Sequence, residues 1–376
     1  MKLHKTQIKA KEKKFQLYCF IFGKILNSIN ILIFTFPNIL TKPYKLVLLL
    51  ACIISTSAYS QSLSLPIYSD YLTDNYYLVH PSMAGASNFN KVRLTARQQW
   101  FGIEDAPSLQ TLSVNGRIND KVGLGGIFYN DSNGRFSQQA AYATFAYHLM
   151  FSRSTADINQ LSFGISAGVL QDRLDQTGLN TVGSPDPAID GSQQSETLFN
   201  MDIGASYFFL NFFTHITVKN VLPQQRRVFS EVFETENQRQ YLASVGYTIS
   251  SLQSRWIFEP SLFFQYREAI NQSNIDINAK AYYQLEEGQF WGGISYRRAL
   301  DSINFVGSNS ELNTQSLQYI SPFLGFNYKR FMVAYTYSHQ AFSEVISSSG
   351  FHQITLGYDF GENRKRQKCI CPAVNY

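Results

Sequence analysis

The sequence predicts an all-β fold, a transmembrane antiparallel up-and-down β-barrel of about 14 strands with long extracellular loops and short periplasmic turns. Composition is the first reason, because only 16% of the 376 residues are charged and 15% are aromatic, whereas soluble domains carry about 25% charged residues. The second is period-two alternation of apolar and polar residues over segments long enough to cross a bilayer. The third is that short and long connections alternate along the chain.

The chain begins with a leader. Two lysines precede the apolar run 46–54, and a small-x-small site ends at Ser60, which is the pattern of a secretory signal peptide. We therefore predict that residues 1–60 are a leader cleaved after Ser60 and that the mature chain is exported. A competing hypothesis is lipidation of Cys52, because the preceding Leu-Leu-Ala resembles a lipoprotein cleavage box.

The basic surplus of the chain lies in this leader. Residues 1–60 hold nine Lys and one acidic residue, which leaves 23 basic and 26 acidic residues in the rest of the chain. The mature protein therefore has no positive net charge that would favour a nucleic-acid partner. Residues 61–368 contain no Cys, and Cys369 and Cys371 in the tail are too few ligands for a zinc site.

The segment after the leader, residues 61–88, holds large apolar residues such as Tyr77 and Val79 but has no membrane-strand pattern. Two hypotheses stay open for it. It is either a plug inside the barrel, because polar groups in a barrel interior need water or protein partners, or a periplasmic segment that lies across the barrel mouth.

Residues 89–360 are predicted to form the barrel. In one clear example, Trp256, Phe258, Leu262 and Phe264 share a face and polar residues alternate with them. Most such segments have about 10–14 residues, which suits a tilted membrane strand better than a soluble one. The predicted strands are 91–100, 108–118, 121–130, 135–150, 158–171, 198–210, 211–220, 239–250, 254–267, 274–286, 288–299, 316–328, 329–339 and 350–360.

The connections predict the topology. Even-numbered strands are followed by short links, and most odd-numbered strands by long loops, among them 172–197, 221–238 and 300–315. An even strand count with turns at one end and loops at the other indicates an integral outer-membrane protein with both termini in the periplasm. The chain then ends in a basic periplasmic tail, residues 361–376.

The predicted inner face is polar. Pro260 and Pro322 fall inside predicted strands, where we expect bulges because proline removes a ladder hydrogen bond. The charged residues assigned to the inner face are Asp202, Glu259, Arg267, Asp276, Lys280, Glu286 and Asp359.

No motif for phosphate binding, dinucleotide binding, a nucleophile elbow or zinc proteolysis is present in the sequence. We therefore predict a non-enzymatic protein without cofactors. His339 and Glu344 near one loop do not by themselves make a catalytic pair, and two loop carboxylates are too few for a calcium site. The candidate partner contacts in the loops and tail are Asp186, Asp190, Arg226, Arg227, Glu234, Arg364, Lys365 and Arg366.

The sequence also resembles a known family. The residues that carry the likeness are, in chain order, 71–86 (YLTDNYYLVHPSMAGA), 97–100 (RQQW), 122–125 (VGLG), 146–149 (AYHL) and 352–360 (HQITLGYDF). Together they resemble the PorP/SprF family of outer-membrane proteins, which serve the type IX secretion system of Bacteroidetes. The likeness extends over residues 61–360, and the stretch 80–83 departs from the family's more usual Asn-Pro-Ala-Tyr.

The resemblance implies a non-enzymatic role, in which the barrel supports export of type IX cargo such as gliding adhesins and holds the cargo's C-terminal domain at the cell surface. It implies three kinds of partner, namely the secreted adhesin, other secretion components including the periplasmic ring, and outer-membrane lipid. Considered only as a barrel, the chain also fits an alternative function as a passive channel or a transporter of hydrophobic solutes.

Overall fold

A computed structural model describes residues 58–59, 75–99, 105–152, 157–177, 191–222, 239–251, 253–306, 312–341 and 350–361. All of them belong to one compact unit, Ala58–Tyr376. None of the described residues forms a helix that is long and apolar enough to cross a membrane.

Fourteen long strands, in the described part of the chain, form one continuous wall. Period-two sequences favour strands because successive side chains then point to opposite faces. The strands are β1 Asn90–Gln99, β2 Ser108–Arg117, β3 Val122–Asn133, β4 Phe136–Met150, β5 Asn159–Asp175, β6 Gln193–Phe209, β7 Phe212–Lys219, β8 Gln240–Tyr247, β9 Trp256–Arg267, β10 Gln272–Gln284, β11 Gly288–Val306, β12 Leu312–Tyr328, β13 Phe331–Ala341 and β14 Phe351–Phe360.

Two short strands of two residues each add to this wall. Ile249–Ser250 pairs with β9 as a continuation of β8, and Ala58–Tyr59 pairs in parallel with β11.

The wall closes into a barrel. Each long strand pairs antiparallel with its neighbours in the chain, and β14 pairs with β1 from Phe351 opposite Gln99 to Phe360 opposite Asn90. Closure leaves no unpaired sheet edge in the hydrocarbon layer, where unsatisfied backbone groups are costly. The closed 14-strand antiparallel barrel confirms the predicted fold class.

The two ends of the barrel differ, and we name them here. At the turn end, links are short, such as Leu210–Asn211 between β6 and β7. At the loop end lie the connections that follow odd-numbered strands, such as the one from Asp175 to Gln193. Because the strands are antiparallel and even in number, β1 begins and β14 ends at the turn end.

The two faces of the wall have opposite chemistry. Large apolar side chains such as Leu94, Phe163 and Ile354 point outward and are about half exposed, whereas inward polar side chains such as Thr95 and Gln160 are fully buried. A soluble protein has the reverse arrangement, and a barrel surrounded by lipid requires this one. For these strands, the alternation in the sequence therefore predicted the two faces correctly.

Two hairpins are longer than predicted. β5 continues to Asp175 and β6 begins at Gln193, so part of the predicted loop 172–197 is strand. Similarly, β11 continues to Val306, within the predicted loop 300–315. A strand that continues beyond the hydrocarbon layer needs no outward apolar row, so the apolar alternation of the sequence ends before the backbone ladder does.

Two local assignments are wrong. The predicted turn at 131–134 is instead centred on Gly134, with φ of 59°, because β3 continues to Asn133. Glu286 was assigned to the inner face, but it is exposed in the turn after β10, which ends at Gln284.

Pro260 and Pro322 do not form the predicted bulges. Each pairs normally with one neighbouring strand, while the ladder on its other side is interrupted without a change of register. Proline lacks a single N–H donor, so only one of its two ladders loses a bond. The register shift in this part of the wall lies between Arg298 and Ser302, where β11 pairs with β12.

Candidate functional site inside the barrel

A stretch of the chain lies inside the barrel. Residues 75–88, which we call the inner segment, contain two 3-10 turns, Tyr76–Leu78 and Pro81–Met83. Pro81 begins the second turn, where its fixed φ is favourable and no N–H donor is needed. Every residue of the inner segment is buried except Tyr76, which is half-buried. Residues 61–74, the rest of the predicted plug or periplasmic segment, lie outside the described residues.

His80 fixes the middle of the inner segment to β7 and β8. Its Nδ1 lies 2.8 Å from Thr217 Oγ1, and its Nε2 lies 3.2 Å from Ser244 Oγ. A neutral imidazole donates from one nitrogen and accepts at the other, so two hydroxyls satisfy it completely. The ring also stacks on His215, with centroids 4.8 Å apart. This fully buried histidine is therefore held by two strands at once.

A second polar chain runs from the inner segment to β6 and β7. Ser82 Oγ lies 2.6 Å from Ser206 Oγ, which lies 2.7 Å from His215 Nδ1. Hydroxyl groups beside an imidazole are the ingredients of nucleophilic catalysis. Here, however, all three side chains are completely enclosed, so the arrangement supports packing and offers no path for a substrate.

Wall side chains near the turn end form hydrogen bonds with the backbone of the inner segment. The amide of Gly85, whose φ of 68° is accessible mainly to glycine, donates to Asn115 Oδ1 at 3.1 Å. Arg117 Nε donates to the Gly85 carbonyl at 2.8 Å. His148 Nε2 donates to the Ala84 carbonyl at 3.0 Å. A segment outside the sheet ladder needs such partners for its buried backbone groups.

Further hydrogen bonds connect the inner segment to the surrounding strands. They include one bond to a buried carboxylate and one from a buried ammonium group. The pairs are Asn75 Nδ2 to Ser113 Oγ at 2.8 Å, Tyr76 OH to Glu259 Oε1 at 3.2 Å, Tyr77 OH to Thr144 Oγ1 at 2.8 Å, and Lys219 Nζ to Leu78 O at 2.9 Å.

Glycines in the wall allow the inner segment to approach closely. A Cβ placed on Gly164 of β5 would lie 2.3 Å from the carbonyl carbon of Pro81, and a Cβ on Gly123 of β3 would lie 2.0 Å from the Ala84 carbonyl oxygen. Both obstacles are backbone atoms, which cannot rotate away as a side chain can. These wall positions therefore require glycine while the inner segment is in place.

Buried apolar side chains pack on both sides of the inner segment. On the turn-end side, Tyr77 and Met83 pack with Phe208 and Phe213. Each large side chain removed from water in this way contributes about 1.5–3 kcal/mol. The cluster on the loop-end side consists of Leu78, Val79, Leu109, Tyr129, Ala140, Leu170, Leu242 and Phe263.

The contacts described so far join the inner segment to β2–β9, and the remaining wall, β10–β14 with β1, is stabilised differently. Arg297 of β11 donates to both carboxylate oxygens of Asp276 in β10, at 2.8 and 2.9 Å. Lys280 Nζ lies 4.2 Å from the ring centroid of Trp291 and 4.9 Å from that of Tyr282. The bidentate hydrogen bonds of Arg297 with Asp276 and the ring contacts of Lys280 partly replace the interactions with water that these charged groups lose inside the barrel.

None of the predicted partner contacts can be placed on this framework, because all of them lie outside the described residues. His339 is described and lies on the outer face of β13 beside Tyr337, with ring centroids 6.4 Å apart. The residues concerned are Asp186, Asp190, Arg226, Arg227, Glu234, Arg364, Lys365 and Arg366, together with Glu344, Cys369 and Cys371.

The sequence reasoning missed His80, His148 and His215. A signal was present, because His148 and His215 occupy inward positions of alternating strands, where a polar ring needs a partner inside the barrel. The hydrogen-bond partners of these three histidines are hydroxyls, the amide of Gln160 and the carbonyl of Ala84. No group of three or more His, Cys, Asp or Glu with metal-binding geometry occurs among the described residues.

The comparison with protein families gives a match that extends over most of the chain. The model of the family described as "Type IX secretion system membrane protein PorP/SprF" matches residues 60–358, which include the inner segment and nearly the whole barrel. The chain belongs to the PorP/SprF family. The resemblance found in the sequence is thereby confirmed, and this PorP/SprF protein is a type IX secretion membrane protein with a barrel of the outer-membrane type.

Several solved structures are similar to this PorP/SprF chain. The CymD monoaromatic hydrocarbon channel is 12% identical, with a TM-score of 0.43, and the match covers 81% of this chain and 96% of CymD. The Pseudomonas putida toluene transporter TodX is 12% identical, with a TM-score of 0.43 and coverages of 82% and 95%. Salmonella typhi OmpF is 12% identical, with a TM-score of 0.34 and coverages of 72% and 96%. No curated protein matches the chain significantly.

Proposed function

We propose that this PorP/SprF protein is a non-enzymatic outer-membrane barrel that supports type IX secretion and holds cargo such as gliding adhesins at the cell surface by binding the cargo's C-terminal domain. Membership of the PorP/SprF family connects this protein with the type IX secretion system. The observation that carries the proposal is the inner segment inside the barrel, which is hydrogen-bonded to six strands of the wall. A barrel filled by its own chain is better suited to hold a partner than to pass solutes.

In this proposal, the loop end faces the cell exterior, and the turn end and both termini face the periplasm. Short periplasmic turns and longer outer loops are the rule for bacterial barrels. Residues 1–60 would be removed after Ser60, and the short strand Ala58–Tyr59 beside β11 would be lost with them. The tail 361–376 would approach periplasmic components such as the ring. Its basic residues Arg364–Arg366 would supply positive charge to that contact.

Deletion of the gene in its own organism tests the main claim. We expect the adhesin to disappear from the cell surface while uptake of small solutes is unchanged. Surface proteolysis followed by immunoblotting measures the adhesin, and the intact gene on a plasmid should restore it. Normal surface adhesin in the deletion strain would contradict the proposal.

The channel alternative is tested with purified protein in planar bilayers. We expect no steady conductance from the intact barrel, because the inner segment and the two apolar clusters around it occupy part of the lumen. A variant that lacks residues 75–88 should conduct if its barrel still assembles, which makes it the positive control. Steady conductance of the intact protein would favour a channel and contradict the proposed function.

A further inference from the structure

The hairpin of β11 and β12 extends beyond the neighbouring strand β10 at the loop end. The last residue of β11 that pairs with β10 is Ala299, opposite Asn274. The turn 268–271 then joins β10 to β9, whereas β11 continues to Val306. At about 3.3 Å per residue, residues 300–306 add roughly 23 Å of strand. No strand of the described wall lies beside them on the β10 side, which we call the β11 edge.

The other side of residues 300–306 belongs to the hairpin, because 302–306 pair antiparallel with β12. In such a ladder, alternate residues turn their N–H and C=O groups toward the partner strand and the others turn them away. The Gly288 carbonyl accepts a bond from Leu285, so even-numbered residues of β11 face away from β12. The register shift later in β11 inserts two residues, which preserves this order. Asn304 therefore turns its main-chain N–H toward the β11 edge.

A short piece of chain occupies the base of the β11 edge. Ala58–Tyr59 pair in parallel with it, Ala58 opposite Asp301 and Tyr59 opposite Ser302. These two residues belong to the predicted leader and are absent from a mature protein that is cleaved after Ser60. The pairing indicates that the β11 edge accepts an extended chain from outside the wall, and cleavage of the leader would leave this place open.

The β11 edge lacks most of the protection that exposed strand edges usually have. Natural sheets protect such edges with Lys, Pro, charges or bulges, because unpaired main-chain groups attract other chains. Residues 300–306 (LDSINFV) contain no Lys, Arg or Pro. The irregularity of β11 ends at Ser302. The one charged residue, Asp301, is held by β10, since its Oδ2 accepts a hydrogen bond from the Ser273 amide at 2.6 Å.

We propose that the β11 edge binds an extended segment of the secreted partner by strand addition. The proposal rests on the proposed function and adds to it the place and the mode of recognition. The main chain of the partner bonds to that of β11, in the way that Ala58–Tyr59 do, and adds one strand to the hairpin. Main-chain hydrogen bonds supply the affinity in this mode, so cargo segments of different sequence can use the same edge.

A second copy of the barrel fits the β11 edge less well than a secreted chain does. Two barrels in one membrane are related by an axis along the membrane normal, and barrel strands tilt by roughly 35–45° from that normal. Two β11 edges would therefore cross at about twice the tilt, whereas neighbouring strands of a sheet differ by roughly 20–25°. An extended segment of a secreted protein has no such constraint and can follow the strand.

The test measures how tightly the mature barrel in lipid nanodiscs binds one probe, the purified C-terminal domain of an adhesin that the same cells export by type IX secretion. Asn304→Pro removes the N–H that faces the β11 edge and keeps the ladder to β12. The matched control is Thr314→Pro, because Thr314 of β12 lies directly opposite Asn304 and faces the other side of the hairpin. Amide hydrogen exchange of residues 300–306, with and without the domain, reports strand addition directly.

We expect Asn304→Pro to weaken binding by about tenfold, because it removes one main-chain hydrogen bond and places a ring where the added strand lies. Thr314→Pro should bind like the native protein. Exchange of the amides in 300–306 should become slower when the domain binds. Urea unfolding should be equal for the two variants, so that a loss of binding in only one of them is not a loss of the fold.

Two results would overturn the inference and leave the proposed function standing. In the first, the native barrel binds the domain and Asn304→Pro binds it equally well, so the β11 edge is not the site. In the second, only Thr314→Pro loses binding, so the site is on β12. If the native barrel does not bind the domain at all, the proposed function fails and the inference fails with it.

Two further measurements test what else could cover the β11 edge. Mass spectrometry of the mature protein gives its N-terminus, and a chain that begins before Ala58 would keep its own strand on the edge and contradict an open site. Light scattering of the mature barrel in detergent gives its oligomeric state. Association of barrels that is lost in Asn304→Pro would make a second copy the occupant and contradict the inference.

Discussion

The two parts of the inner wall differ in how their buried polar side chains find hydrogen-bond partners. Along β2–β9, many inward polar groups bond to the inner segment, as Thr217 and Ser244 do to His80, although Gln265 Oε1 at the far edge of this region has no partner. Along β10–β14 and β1, they pair with one another, as in Arg297 with Asp276, or have unpartnered atoms, as in Gln353. An inward-facing polar pattern therefore does not by itself indicate a water-filled bore.

The ion pair of the second region should give the largest effect when it is broken. In Arg297→Met, Asp276 remains buried without its bidentate partner, and we expect the free energy of unfolding to fall by about 3–5 kcal/mol. The double variant Asp276→Leu with Arg297→Met should recover most of this loss, because no charge is then left unpaired. Urea unfolding of the purified barrel in detergent measures both variants. Equal losses in the single and double variants would show that the charge pair is not the cause.

The fit of the inner segment against the first region should give the next largest effect. In Gly164→Ala, the new Cβ meets the backbone of Pro81 at 2.3 Å, and we expect a loss of about 1–3 kcal/mol from overpacking. The matched control is Gly126→Ala on the outer face of β3, where the nearest atom to a Cβ is 3.8 Å away. The same unfolding assay compares them, and similar losses in both would contradict the close fit.

The hydrogen bonds of His80 should give a smaller effect. His80→Phe keeps a ring against His215 but leaves the hydroxyls of Thr217 and Ser244 without this partner, and we expect a loss of about 1 kcal/mol. His339→Phe is the control, because that ring lies on the outer face of β13 and should cost little. If both variants unfold alike, then His80 does not hold the inner segment in place.

The barrel could be predicted from the sequence because each wall strand carries its own pattern. In β9, for example, the outward row from Trp256 to Phe264 is separated by inward residues such as Glu259, which is buried. Local alternation is sufficient to determine which face meets lipid. The family could likewise be identified from short sequence blocks, which the family match over 60–358 confirms.

The inner contacts could not be predicted because the partners meet only when the barrel closes. His80 and Thr217 are 137 residues apart, and Tyr76 and Glu259 are 183 residues apart. Such pairs have no periodic signature in the sequence. The ends of β5 and β6 were missed for another reason, since a hairpin that extends beyond the lipid has no apolar face to mark it.

The smallest effect is expected from the exposed turns, where neither region of the inner wall is involved. Lys329 Nζ lies 3.2 Å from Glu287 Oε2 across neighbouring turns, and both groups are exposed. The hydrogen bond between the two side chains lowers the pKa of Glu287 and raises the pKa of Lys329. Any stabilisation by the pair is therefore fully present at pH values between the ordinary pKa of a glutamate carboxyl group and that of a lysine ammonium group. It is lost as the pH falls through the lowered pKa of Glu287 or rises through the raised pKa of Lys329.

Solvent screening keeps such a contact weak, so Lys329→Ala should not change the unfolding midpoint measurably at neutral pH. Its control is Arg330→Ala, which removes a neighbouring charge of the same sign and leaves the Lys329 contact in place. A clear loss for Lys329→Ala alone would mean that the turn end is more ordered than its exposure implies. Stability would then depend on the turns as well as on the two regions of the inner wall.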